Sequence, residues 1–101
     1  MIPKEITIGA FTFKVELVRE IIHNDSRLEG TAVDGYVFYD RGIIQILNSL
    51  GKMTEQTFWH EVIHCIDKVY NADALTDECT VDRISQGVYQ AVKCLYPEDW
   101  K

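Results

Sequence analysis

The chain has 101 residues, 47% of them hydrophobic, which is enough for one modest core without a disulfide framework. Its formal net charge of −6 argues against nucleic-acid binding, which normally shows as a basic patch, and no stretch is apolar enough to span a membrane. The three cysteines, Cys65, Cys79 and Cys94, are odd in number and have no CxxC spacing; that pattern suits a reducing cytoplasm better than a secreted disulfide scaffold.

A single domain over residues 1–101 is expected, since no linker, repeat or low-complexity segment interrupts the chain. The N-terminus, Met1-Ile2-Pro3-Lys4-Glu5-Ile6, leads straight into an alternating pattern and lacks the basic start and apolar run of a signal peptide. Ile6 and Ile8 alternate with polar residues. Gly9-Ala10 starts a turn, and Phe11 to Val18 alternates with period two, as a half-buried strand does. Asn24-Asp25-Ser26 is turn chemistry. Gly30 to Asp40 reads as a strand carrying Tyr36, Val37, Phe38 and Tyr39 after an Asp34-Gly35 turn signal. Asp40-Arg41-Gly42 is a further turn, and Ile43 to Leu47 a further strand. The first half is therefore expected to form a small antiparallel sheet of three or four strands.

The second half reads as two helices, giving an α+β chain. Thr54 is the expected N-cap of the first, with Glu55 in the first turn, and the helix runs to about Tyr70. Phe58, Val62, Ile66 and Val69 recur at helical spacing and are expected to face the sheet. Asn71 to Ala74 breaks this helix. The second starts near Thr76 as N-cap, with Asp77 and Glu78 in its first turn and Val81, Ile84, Val88, Val92 and Leu95 as its stripe; Tyr96-Pro97 ends it.

The first helix contains His60-Glu61-Val62-Ile63-His64, an HExxH sequence and the signature of zinc-dependent hydrolysis. Histidines four residues apart lie one turn apart on one helix face and can grip a single ion, here Zn2+. Glu61 follows the first of them and can serve as general base from the same side. A catalytic zinc needs a third protein ligand. Glu78 is the leading candidate, because a short helical hairpin returns its turn to the first helix. Asp82 and Asp77 are alternatives. Asp67 is too close along the same helix to converge, and His23 reads as a surface or capping histidine. Asp82, one turn beyond Glu78, could instead orient a liganding imidazole. Cys65 and Cys79 read as small core residues, with a thiolate ligand role for Cys79 a weaker option. Tyr36, Tyr39, Tyr70 and Tyr89 are unranked candidates to stabilise an oxyanion, and the edge of the Ile43–Leu47 strand could receive an extended peptide.

HExxH followed by Glu78-Cys79-Thr80-Val81-Asp82-Arg83-Ile84-Ser85 resembles the E-x-x-A-N-x-x-A segment of the ImmA/IrrE zinc peptidases, with Val81 at the alanine and Asp82 at the asparagine. The order of elements over about residues 5–95 is also similar to that of short phage- and prophage-encoded proteins related to that family. The resemblance implies a minimal zincin-like gluzincin with His60, His64 and Glu78 as zinc ligands and Glu61 as catalytic base. It also implies a peptide or protein substrate, such as a repressor-type regulator. Two features depart from larger gluzincins: the short linker between His64 and Glu78, and the lack of a further domain to shape a cleft. The rival reading is a catalytically silent zinc-binding interaction protein, a phage-type regulatory or host-binding factor; the intact HExxH, with a glutamate that a structural site does not need, counts against it.

Overall fold

The chain begins with an antiparallel hairpin, and a computed structural model describes residues 2–25, 33–75 and 77–96. Strand β1 (Glu5–Ile8) turns at Gly9-Ala10 into β2 (Phe11–Val18), with Ile6 opposite Phe13. A second hairpin joins β3 (Gly35–Phe38) to β4 (Ile43–Leu47), with Val37 opposite Ile44. The turn between them closes at Gly42, whose φ of +64° a side chain would strain. The four strands lie in the order β1-β2-β4-β3.

That order corrects two expectations. The sheet is mixed, not antiparallel, because β4 lies beside β2 in parallel, with Val15 level with Ile44 and Leu17 level with Ile46. Ile43–Leu47 is consequently a central strand, and the edges are β1 and β3. The near-continuous apolar run Ile43-Ile44-Gln45-Ile46-Leu47 fits a strand paired on both sides. Ile44 and Ile46 are fully buried, while Ile43, Gln45 and Leu47 on the opposite face are half-buried. The third strand is shorter than the Gly30 to Asp40 reading: Gly35 opens the strand itself, and residues 26–32, Ser26 of the first turn signal among them, lie outside the described residues.

A 3-10 turn at Gly51–Met53 leads into helix α1 (Thr54–Tyr70). Thr54 is the first helical residue, not the cap; Met53 occupies the cap position, and the Thr54 hydroxyl donates to the carbonyl of Gly51 at 2.7 Å. Helix α1 lies on one face of the sheet against β3, β4 and β1. Phe58, Val62 and Cys65 are buried there with Ile8, Phe13, Val37, Ile44 and Ile46, and Val69 packs at the margin. The buried stripe thus runs through Cys65, while Ile66, one residue further round the helix, is 39% exposed. Burial pushes the Cys65 thiol up to about 12, so it behaves as a small apolar residue.

Helix α2 (Glu78–Leu95) packs only against α1 among the described elements. Asp77 caps it, accepting from the Cys79 N–H at 3.0 Å and from the Thr80 hydroxyl at 2.9 Å. Thr76, the expected cap, lies outside the described residues, as does Pro97; Tyr96 stands at the C-cap. Of the expected stripe, Val81 is buried and Val88 and Val92 are half-buried, but Ile84 and Leu95 are exposed. Ser85 replaces them at the interface: it is fully buried, donates to the Asp82 carbonyl at 2.8 Å and lies 3.5 Å from Gln56 Nε2. The seam between the helices therefore mixes these valines with buried polar groups.

Asp67 fixes the loop joining the two helices. Its carboxylate accepts from Asn71 Nδ2 at 2.8 Å and from the Leu75 N–H at 3.1 Å, and its carbonyl accepts from the N–H groups of Asn71 and Asp73. This buried set of acceptors holds Ala72 and Asp73 at positive φ, 51° and 60°, a conformation that is costly for alanine. The reversal it enforces brings the start of α2 back alongside the HExxH turn of α1.

Candidate metal centre and cleft

The apolar face of α1 sets the direction of its polar one. With Phe58, Val62 and Cys65 turned into the core, His60 and His64 come to the border of the sheet-facing side, each about one-fifth exposed at the side chain (19% and 18%), and face α2. Glu78 meets both. Its Oε2 is 2.9 Å from His60 Nε2 and its Oε1 is 3.2 Å from His64 Nε2. The imidazoles stand edge to face with centroids 5.0 Å apart.

One donor atom from each of His60, His64 and Glu78 falls within 4.8 Å of the others. The carboxylate meets the two imidazoles through different oxygens, Oε2 at His60 and Oε1 at His64. Two imidazole nitrogens and one carboxylate are also the donor types of a three-ligand catalytic site. These residues therefore fit a metal ion and could hold one. Asp82 Oδ1 lies 3.4 Å from His60 Nδ1, the ring nitrogen that does not meet Glu78, and its Oδ2 accepts from Gln86 Nε2 at 2.7 Å. That is the place from which a carboxylate fixes an imidazole tautomer.

Glu61 is turned toward the sheet. It is 7% exposed and rests against Gly35 at the start of β3. A Cβ on residue 35 would stand 2.9 Å from Glu61 Cγ and Oε2 and 3.0 Å from Thr57 Cγ2, so glycine is what lets this carboxyl sit against the strand. Burial pushes the Glu61 carboxyl up to about 8, with smaller contributions from Glu78 and Asp34. A cation among the three donor residues would act in the opposite sense and favour the carboxylate.

An open cleft of about 550 Å³ runs past these groups, between β3 and the two helices; His60, Glu61, His64, Glu78 and Asp82 line it with Gly35, Tyr36 and Tyr39. The Tyr39 hydroxyl donates to the His64 carbonyl at 3.4 Å, and burial together with nearby acids holds its ionisation well above the usual phenol range. Tyr36 donates to Asp25 Oδ2 at 3.3 Å. The other two tyrosines lie elsewhere: Tyr89 reaches Glu55, and Tyr70 is 70% exposed, close to Gly9.

The structure thus brings Glu78 to the two histidines and Asp82 to His60. It leaves out the other candidates. Asp77 is committed to its helix cap, Asp67 to the interhelical loop, and Cys79 is exposed at the start of α2 outside the cluster. His23 stacks on Tyr36 at 4.9 Å and accepts from the Asp25 N–H. Sequence reasoning passed over the close approach of Gly35 to Glu61 and Thr57, and the part played by Asp67. Only Asp67 left a readable signal, since a carboxylate four residues before Asn71 at a helix end is a ready loop anchor.

Comparison with known proteins finds no matching family model, no matching curated protein and no matching solved structure. No helix among the described residues is long and apolar enough to cross a membrane.

Proposed function

We propose that this chain is a zinc-dependent metallohydrolase, and specifically a peptidase. The observation that carries the reading is the convergence of His60 Nε2 and His64 Nε2 on one carboxylate, Glu78, with the Glu61 carboxyl buried beside them on the cleft wall. On this reading His60, His64 and Glu78 hold the metal, and zinc, when bound, supplies a Lewis acid for the substrate carbonyl and lowers the pKa of water to about 7.

The chain's own residues supply the rest. Glu61 takes a proton from the attacking water and returns it to the leaving amine. Gly35 leaves the space in which that carboxyl sits against the strand, and a preset position is what makes a general base efficient. Asp82 holds the Nδ1 proton of His60, which leaves Nε2 its lone pair for the metal. Tyr39, committed to the backbone of the HExxH helix, steadies the cleft wall between β3 and α1. An extended peptide can add to β3, which ends the sheet among the described residues and starts at Glu61's neighbour Gly35; Ile43–Leu47, being central, offers no such edge.

The reading includes the ImmA/IrrE-like relationship, a protein or peptide substrate of the regulator kind, and a cytoplasmic setting, for which the three free thiols speak. A silent zinc-binding protein would have no use for a buried carboxyl poised at an open cleft, so Glu61 favours catalysis. Glu61→Gln should retain zinc and lose hydrolysis of an unfolded protein substrate such as denatured casein. Hydrolysis persisting at the parent rate in that variant would overturn the mechanism.

A further inference from the structure

Asp67 is a buried acid that the hydrolytic steps above do not use. It is 1% exposed, and a carboxylate out of water persists only where hydrogen bonds meet it. It lies on α1 one turn beyond His64, and its bonds all go to the reversal that follows. The side chain accepts from Asn71 Nδ2 at 2.8 Å and from the Leu75 N–H at 3.1 Å; the carbonyl accepts from the N–H groups of Asn71 and Asp73 at 2.9 and 3.0 Å. These bonds span Ala72 and Asp73, whose φ of 51° and 60° is strained backbone for residues with a side chain. Leu75 is three residues before Glu78. Asp67 thus joins the helix that carries the two histidines to the start of the helix that carries the carboxylate. Glu78 is 66% exposed at its side chain, so close packing does not set its place, and α2 packs only against α1 among the described elements.

We propose that Asp67 is a positioning residue for the metal: by tying Leu75 to the HExxH helix it holds the strained reversal in place and so delivers Glu78 to His60 and His64. This rests on those three residues holding zinc and deepens that reading by naming what sets the affinity of the site from outside it. Without the tie, Ala72 and Asp73 are free to leave the left-handed region and the start of α2 is no longer held. Only the molecules with Glu78 in place then bind with three ligands, and the apparent affinity falls by that fraction. A purely electrostatic action of the Asp67 charge on a cation would not depend on Glu78; positioning does. The strain also supplies a rescue. Glycine takes a positive φ without the cost that alanine meets, so glycine at residue 72 favours the same reversal when the tie is weakened.

The test is a double-mutant cycle on zinc affinity, read on the full chain by competition with a chelating indicator, with circular dichroism to show that each variant is folded. Asp67→Ala should weaken zinc binding about tenfold, and Asp67→Asn, which keeps one acceptor oxygen, about threefold. In the Glu78→Ala background either change should alter the remaining affinity by less than about twofold. Ala72→Gly added to either Asp67 variant should recover part of the loss. Where Asp67→Ala does not fold, Asp67→Asn makes the comparison. Unchanged affinity in the Asp67 variants, an equal loss with and without Glu78, or a loss that Ala72→Gly leaves untouched would overturn the assignment while the metal site stands. A parent that binds no zinc would sink the metal reading and the assignment with it.

Discussion

Glu61 and Glu78 stand on opposite walls of one cleft in unlike settings: Glu61 is 7% exposed on the helix that packs on the sheet, whereas the Glu78 side chain is 66% exposed on a helix that touches only α1. The inner wall takes its geometry from the core. Phe58 and Val62 bracket His60 and Glu61 in sequence and are fully or almost fully buried, so the HExxH turn cannot rotate without disturbing the packing of the domain. The outer wall takes its geometry from a cap at Asp77, a loop tied by Asp67 and a seam in which Ser85 and Val81 are the buried residues of α2. On the proposed function, a metal site spanning both walls would have two ligands preset by folding and a third whose position depends on local contacts of α2. Metal binding and docking of α2 should therefore reinforce each other, since an ion bound only when the walls meet stabilises the state in which they meet.

This contrast can be broken at its strong end first. Phe58→Ala removes a fully buried ring from the inner wall and should cost about 3–5 kcal/mol in denaturant unfolding, lowering the midpoint without changing which groups line the cleft. If the loss were under about 1 kcal/mol, the inner wall would not be set by the core as described. Asp82→Ala should be milder and different in kind. With its carboxylate at 3.4 Å from His60 Nδ1, its removal should weaken zinc affinity about 10–100-fold in competition with a chelator while leaving unfolding of the metal-free protein nearly unchanged. Unaltered affinity would reduce Asp82 to a surface acid. The smallest effect belongs to Leu95, 70% exposed at the far end of α2, where alanine should change stability by no more than about 0.5 kcal/mol. A larger loss would mean that the end of α2 is covered in solution.

What the sequence could convey follows the same division. The strands Phe11 to Val18 and Ile43 to Leu47 and the body of α1 were readable because each signal is local, a period of two or of about four. HExxH carried its own geometry, and Glu78 could be placed because a short loop between helices constrains what it brings back. Strand order was not readable. Parallel pairing of β2 with β4 joins segments distant in the chain, and nothing in either marks the other. The contact of Gly35 with Glu61 and the position of Asp34 beside it were hidden for the same reason, since both depend on β3 being the edge next to α1. The substitution of Cys65 for Ile66 in the buried stripe has another cause. Neighbouring residues differ by only about 100° around a helix, and ranking by hydrophobicity picks the isoleucine where the packing surface takes the smaller cysteine.

The most direct test of the account is the metal content of the protein purified without added metal, by elemental mass spectrometry, beside His60→Ala and Glu78→Ala. One ligand is taken from each wall of the cleft. The account predicts about one zinc per chain in the parent and loss of that zinc in both variants. No metal in the parent even after zinc is offered, or zinc retained in both variants, would contradict it.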